Sequence, residues 1–161
     1  MKIVINLVAA LLFFVVSGTA YAEHSFSRGD VTVTHPWSRP TPPGVPMGVG
    51  YMAISNQGDT AITLVGATTP KAGKVTVHES RMKDGMMSMR PLTDGLTIPA
   101  GETVMLEPHG YHLMLEGLEG AVAKGESFPM TLNFDTAEPM QIELHTMPMD
   151  DSAMGGQGMD H

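Results

Sequence analysis

Short runs of strand-forming residues, separated by turn-forming residues, fill this chain from residue 31 to about residue 145. The runs are rich in Val, Ile, Thr, Tyr and Leu, and Gly, Pro, Asp and Asn separate them, which is the pattern of strands joined by turns. Apolar and polar residues alternate in the later runs, as is typical of half-buried antiparallel strands. We therefore expect an all-β domain, an antiparallel sandwich or barrel whose strand order cannot be read. The candidate strands are 31–37, 48–56, 61–67, 74–80, 86–91, 102–106, 111–116, 129–134 and 140–145.

The two ends of the chain differ in composition from this central part. Lys2, an apolar run over 7–16, and Ala20 and Ala22 give residues 1–22 the pattern of a signal peptide. The run is shorter than the ~20 residues that cross a bilayer, so we expect export, a mature chain that starts at Glu23, and no membrane insertion after cleavage. An uncleaved leader would instead tether the domain. Residues 23–30 form a lead-in and 31–145 the folded domain, and 146–161 lack core-forming residues and are expected to be a disordered tail.

Charge and cysteine content exclude several classes of function. Nine Lys and Arg residues stand against 17 Asp and Glu, for a formal net charge of −8, and no basic cluster follows the leader, so nucleic acid is not an expected partner. The absence of cysteine excludes disulfides, thiolate zinc sites, thiol redox chemistry and cysteine-ligated blue copper. No paired-carboxylate, nucleophile-triad or phosphate-loop pattern indicates an enzyme.

Methionine is unusually abundant, with 15 in the chain, and one predicted strand pair places it beside histidine. An Asp-Gly dipeptide at 84–85 predicts a two-residue hairpin turn. In that register Met82 lies opposite Met87 and His78 opposite Pro91, so Met89 is diagonal to His78 on the same face, at a backbone spacing of roughly 7–8 Å. A longer loop would change this register.

A second strand presents two donors side by side, because His112 and Met114 alternate with Leu113 and Leu115. Two imidazoles and two thioethers form a soft, uncharged donor set that selects copper, particularly Cu(I), over hard cations. Such a set can hold copper and release it. Both imidazoles must be deprotonated to bind a metal, so affinity should fall below pH ~6.5.

At these residues the chain resembles the periplasmic copper chaperone family called PCuAC. The likeness covers about 31 to 145 and rests on the spacing of the four donors and on the segments 42–44, 90–91, 99–101 and 110–114. The resemblance implies a cupredoxin-like β-sandwich of Greek-key type that binds Cu(I). By the same resemblance, the copper ligands are His78, Met89, His112 and Met114. His109, in a turn that is Gly-rich in many relatives, departs from the family pattern.

The resemblance also implies a cellular location and a partner protein. We expect a periplasmic monomer that delivers copper to a copper-accepting protein, a subunit that carries the binuclear copper site of cytochrome c oxidase. Further Cu(I) or Cu(II) could bind to secondary donors near the two ends, where the alternative is a solubilising acidic terminus. These possible secondary ligands are His24, His145, Met147, Met149, Met154, Met159 and His161.

Three alternatives remain open at the level of sequence. The protein could store copper or confer resistance to it, with no acceptor. It could be a redox cupredoxin, although without cysteine it would lack the intense thiolate-to-copper colour. It could also be an adhesion module in which Met and His are incidental.

The sequence also predicts positions for residues other than the four implied copper ligands. Trp37 is expected in the core, and Met82, Met86 and Met87 form either a copper-transferring rim or packing. Five methionines are expected to pack in the core: Met47, Met52, Met105, Met130 and Met140.

Overall fold

The structure is a computed structural model that describes residues 24–148, and this part of the chain contains eleven strands and no helix. The prediction of an all-β domain is therefore confirmed for these residues. Nine strands correspond to the predicted runs, and β1 and β7 were missed. The strands are β1 Ser25–Arg28, β2 Val31–Ser38, β3 Met47–Asn56, β4 Ile62–Thr69, β5 Ala72–Lys83, β6 Met86–Pro91, β7 Leu96–Ile98, β8 Thr103–Leu106, β9 Tyr111–Leu118, β10 Ser127–Phe134 and β11 Met140–Thr146.

The strands form one sheet that closes on itself. Its order is β6-β5-β9-β8-β3-β2-β11-β10-β4-β7, with β1 added to β2, and the pairs β4–β5 and β9–β3 complete a barrel-like ring. A two-layer Greek-key sandwich stays a prediction. The expectation of purely antiparallel pairing is wrong for β2–β11 and for the single residue pair between β8 and β9, which are parallel. No hairpin joins β2 to β11, which lie near opposite ends of the folded part, so no turn forces them to be antiparallel.

The core lies inside the ring and is built from alternate residues of each strand. Leu113 and Leu115 on β9 and Leu144 on β11 are completely buried. Met52, Met130 and Met140 are buried as expected, whereas Met47 and Met105 are about half exposed. Met47 is the first residue of β3, and Met105 alternates with the buried Leu106 and so faces outward. For these two methionines the prediction of core packing is wrong.

Trp37 also lies outside the core, on the outer face of the sheet. The next residue in the chain, Ser38, pairs with Gly50, whose α-carbon faces Leu113 and Leu144 in the core. Adjacent residues of a strand point to opposite faces, so Trp37 and its cross-strand partner Tyr51 face outward. The Trp37 and Tyr51 ring centroids are 4.6 Å apart, and the Arg39 guanidinium lies 5.9 Å from the Trp37 ring.

The folded part extends beyond the expected 31–145 at both ends. Strand β1 lies in the predicted lead-in, and β11 ends at Thr146, which is completely buried and whose N–H donates to the Glu126 carbonyl at 2.8 Å. The Met147 N–H donates to the Ser38 carbonyl at 3.0 Å. The predicted leader and tail residues 149–161 lie outside the described residues. Within residues 24–148, no helix is long and apolar enough to cross a membrane.

Candidate metal centre

The hairpin of β5 and β6 has the register that the Asp-Gly dipeptide predicted. Asp84 and Gly85 both have positive φ, 52° and 75°, as a two-residue type I′ turn requires. His78 lies opposite Pro91, and Ser80 lies opposite Met89. Because residues two apart on a strand share a face, Met89 lies diagonal to His78 on one face of the sheet.

Strand β9 brings the other two donors to the same face. His78 lies directly opposite His112, and Thr76 directly opposite Met114. The two imidazole centroids are 5.8 Å apart, with 39° between the ring planes. The flanking Val77 and Leu113 pair with each other and point into the core, so the four donors lie on the outer face of the sheet.

The ring of His112 is held by its own turn. The side chain is only 4 % exposed, and Nδ1 lies 3.1 Å from the Gly110 carbonyl oxygen, to which it donates. With the proton on Nδ1, Nε2 carries a lone pair, and this buried atom has no hydrogen-bond partner among the described residues. One ring nitrogen of His112 is therefore free to act as a ligand.

The ring of His78 is held by a hydrogen-bond chain. The Thr76 hydroxyl donates to Glu116 Oε2 at 3.2 Å, so it accepts from His78 Nε2, 2.9 Å away. Nδ1 of His78 then carries the lone pair, and it too is buried without a partner in the described part of the chain. Burial lowers the pKa of His78, and neighbouring His112 lowers it further against the opposite effect of Glu116. His78 is thus kept in the neutral form that binds metals.

The two histidine nitrogens are better explained as ligands of a metal ion than as a polar pair that binds nothing. A buried nitrogen without a partner costs about 1–3 kcal/mol, and here two such atoms share one face. No group of three or more His, Cys, Asp or Glu side chains within residues 24–148 is placed to hold a metal. The further donors on this face are thioethers, with Met114 buried at 6 % exposure and Met89 exposed at 51 %.

A buried carboxylate with two exposed arginine partners, which the sequence analysis missed, lies behind this face. Glu79, adjacent to His78, is 6 % exposed and accepts from Arg90 Nε and Nη2 at 3.0 and 2.8 Å. It also lies 2.7 Å from Arg81 Nε, and these two arginines lower the pKa of Glu79. Because Arg90 follows Met89, the pair ties the strand that carries Met89 to the strand that carries His78. The hairpin register already places Glu79 opposite Arg90 and could have revealed the contact.

The possible secondary donors are only partly within the described residues. His24 and His145 lie side by side, with ring centroids 6.1 Å apart and 18° between the planes. His145 Nδ1 lies 3.0 Å from Ser127 Oγ, and Met147, two residues on, is 44 % exposed. His109 is exposed in a turn, where its φ is 69°. It belongs neither to the His78–His112 pair nor to the His24–His145 pair. The other possible ligands, Met149, Met154, Met159 and His161, lie outside the described residues.

Residues 31–146 match a family model described as "Putative lipoprotein LpqE-like". A protein of Leifsonia xyli subsp. xyli, "Putative lipoprotein Lxx21020", is 34 % identical over 114 residues, which cover 71 % of this chain and 68 % of that relative.

Two solved structures have the same fold. The apo PCuAC domain from PmoF1 is 25 % identical, with a TM-score of 0.66, and the match covers 78 % of this chain and 99 % of that one. The solution structure of CuI-DR1885 from Deinococcus radiodurans is 30 % identical, with a TM-score of 0.58, and the match covers 70 % of this chain and 74 % of that one.

Proposed function

The chain belongs to the LpqE-like family, and on that basis, together with its likeness to CuI-DR1885 and to a PCuAC domain, we propose that it is a copper chaperone. The observation that carries the proposal is a pair of buried nitrogens on adjacent strands, His78 Nδ1 and His112 Nε2, which have no hydrogen-bond partner within residues 24–148. The cargo is Cu(I), and its ligands are His78, Met89, His112 and Met114.

The donor set explains why the cargo is Cu(I). Neutral imidazole and thioether donors suit this soft ion and do not suit hard cations. The proton positions on both rings are already set by Gly110 and by Thr76, so the two nitrogen donors need no rearrangement to bind. Such outer contacts of histidine ligands are a common way to orient the ring and raise its basicity.

The unequal burial of the two thioethers suggests the order of release. Met89 is about half exposed and lies on edge strand β6, whereas Met114 and His112 are buried. A donor from an acceptor protein replaces Met89 first, and the remaining Cu(I) bonds break as further acceptor donors form theirs. Copper stays Cu(I) throughout, so no electron is transferred. The protein is a carrier and not an enzyme.

The finer parts of the proposal concern location and acceptor. The leader pattern of residues 1–22 supports export to the periplasm. The family and the Leifsonia relative are named as lipoproteins, but these 161 residues include no cysteine thiol to which a lipid could be attached. The acceptor that we propose is the subunit with the binuclear copper site of cytochrome c oxidase, and the carrier acts as a monomer.

A Cu(I) titration against a competing chelator tests the site. We expect the double substitution Met89→Ala and Met114→Ala to weaken Cu(I) binding strongly. The control is Met86→Ala with Met105→Ala, which removes two exposed methionines that do not lie beside the histidine pair. An unchanged affinity in the first variant would refute the ligand set.

Copper storage is the second candidate, and the contact between His24 and His145 favours it. A second histidine pair outside the proposed Cu(I) site would raise capacity without serving transfer. Metallation of an oxidase copper subunit by a chain that ends at Pro148 would support delivery. A chain whose only measurable effect is on total bound copper would support storage.

A further inference from the structure

The two faces of the β5–β6 hairpin differ in chemistry. One face carries the buried Glu79 and its arginine partners. The other face carries His78 at the base of the hairpin, then Met89, and then Met82 and Met87 next to the turn. Three thioethers of the hairpin therefore lie on the same face as the histidine pair.

The spacing along this face is regular. Met82 lies directly opposite Met87, so their Cβ atoms are about 4.5–5.5 Å apart. Met87 and Met89 are two residues apart on β6, a distance of roughly 7 Å along the strand. Met89 is in turn diagonal to His78. Each donor is thus within reach of the next through a flexible, unbranched side chain.

Packing does not account for these methionines. Met82 is 66 % exposed and Met87 46 % exposed, and neither belongs to the core of the described residues. Every residue from Arg81 to Arg90 is exposed, so the tip of the hairpin projects from the closed sheet. Exposed apolar side chains that cluster at one place commonly mark a binding site, and thioethers are ligands for Cu(I).

We propose that Met82 and Met87 form a two-thioether Cu(I) site at the tip of the hairpin, and that the ion passes between it and the histidine pair by way of Met89. This inference rests on the proposed function, because it gives the carried ion an entry and exit route. At each step a bond from copper to the next methionine sulfur or imidazole nitrogen forms as the bond to a previous donor breaks, and the ion remains Cu(I). The tip site binds more weakly than the main site, since it has two donors and is open to water.

Binding at the tip can be measured apart from binding at the main site. The probe is Cu(I), added under anaerobic conditions to protein with ¹³C-labelled methionine methyl groups. We expect the Met82 and Met87 methyl signals to shift at ratios above one equivalent, and also in a His78→Gln variant. Shifts only at Met89 and Met114 would overturn the tip site and would still support the proposed main site. Shifts only at Met82 and Met87 would support the tip site and contradict the proposed main site.

Transfer rates test the route. We expect Met82→Leu with Met87→Leu to slow Cu(I) uptake and release roughly tenfold while the equilibrium affinity of the main site stays unchanged, because a tethered donor raises the local concentration of the ion. The matched control is Met86→Leu, which changes a methionine of the same hairpin that lies on the opposite face and is 75 % exposed. Wild-type rates in the double variant, or equal slowing in the control, would overturn the route.

Discussion

His78 and His112 lie directly opposite each other on strands β5 and β9, and each keeps one buried ring nitrogen without a partner in the described part of the chain. The strand pairing that holds them extends from Ala72↔Leu118 to Glu79↔Tyr111. The metal-free protein therefore bears the cost of two unsatisfied polar atoms, and a bound ion would remove it. In the proposed site, both imidazoles would therefore be in position before copper binds.

The hydrogen bond from His78 to Thr76 should matter for copper affinity although Thr76 is not a ligand. Thr76→Val keeps the shape of the side chain but removes the acceptor for Nε2–H and the link to Glu116. We expect Cu(I) affinity to fall about 10–100-fold, the usual effect of losing an outer contact of a metal ligand. Chelator competition measures this. Thr68→Val, an exposed threonine on β4, is the control, and equal affinities in all three proteins would contradict the role of Thr76.

The pH dependence of stability follows from the lowered pKa of His78. In the unfolded chain this group titrates near 6.5, whereas in the folded protein it takes up its proton only at lower pH. Between these two values the unfolded state binds more protons, so the free energy of unfolding of the copper-free protein falls as the pH decreases through this window. Below the folded pKa, His78 is protonated in both states, so its contribution to the free energy of unfolding is lost and no longer changes with pH.

Denaturant unfolding from pH 8 to pH 5 checks this, with His78→Asn as the comparison. We expect the wild type to lose stability relative to the variant on acidification. A relative gain by the wild type would show that the sign is wrong. Cu(I) affinity should fall only at lower pH, near and below the folded pKa of His78, because protons compete with copper for the folded ring only there.

The ion pairs of Glu79 should position the strand that carries Met89. Glu79→Gln removes the charge that holds Arg81 and Arg90, so β6 should exchange its amide hydrogens faster and Cu(I) affinity should fall. Because the pKa of Glu79 is lowered, its stabilising effect is present at neutral pH and is lost as the pH falls through its folded pKa, below 4.5. Glu143→Gln, an exposed residue of β11, is the control. Protection of β6 equal to the wild type would show that the pair does not fix the hairpin.

The sequence was informative where structure is local. The Asp-Gly turn fixed the register of β5 and β6, and alternation placed His112 with Met114, because both depend on neighbours in the chain. The contact between His78 and His112 depends on the pairing of β5 with β9, and three other strands lie between these two in the chain. Only tertiary structure shows that pairing, or the two unpartnered nitrogens.

The strands that were missed have a similar explanation. β7 spans only three residues, and β1 is a mostly polar run held by backbone pairing to β2, so neither has a hydrophobic pattern of useful length. Met105 was wrongly predicted to lie in the core because residue type alone does not show which face of a strand points inward.

The end of β11 determines where the tail can be removed. A chain that stops at Pro148 keeps Thr146 and its contacts, and we expect it to unfold at the same denaturant concentration as the longer chain. A chain that stops at His145 loses the hydrogen bonds of Thr146 with Gly125 and Glu126 and that of Met147 with Ser38. At a net contribution of about 0.5–1.5 kcal/mol each, these three bonds predict a destabilisation of about 1.5–4.5 kcal/mol.

The chain that ends at Pro148 also isolates the second histidine pair. It keeps His24 and His145, whose nearly parallel rings could share an ion, and the contact with Ser127 involves Nδ1 of His145 and not Nε2. With one equivalent of Cu(I), we expect this chain to bind that ion at the main site and, when Cu(II) is added, a Cu(II) ion that His145→Asn removes, whereas His109→Asn, a change to another exposed histidine, does not. Native mass spectrometry counts both ions. Retention of Cu(II) by the His145→Asn variant would remove the structural reason to consider storage, because the ion would then bind somewhere other than this pair.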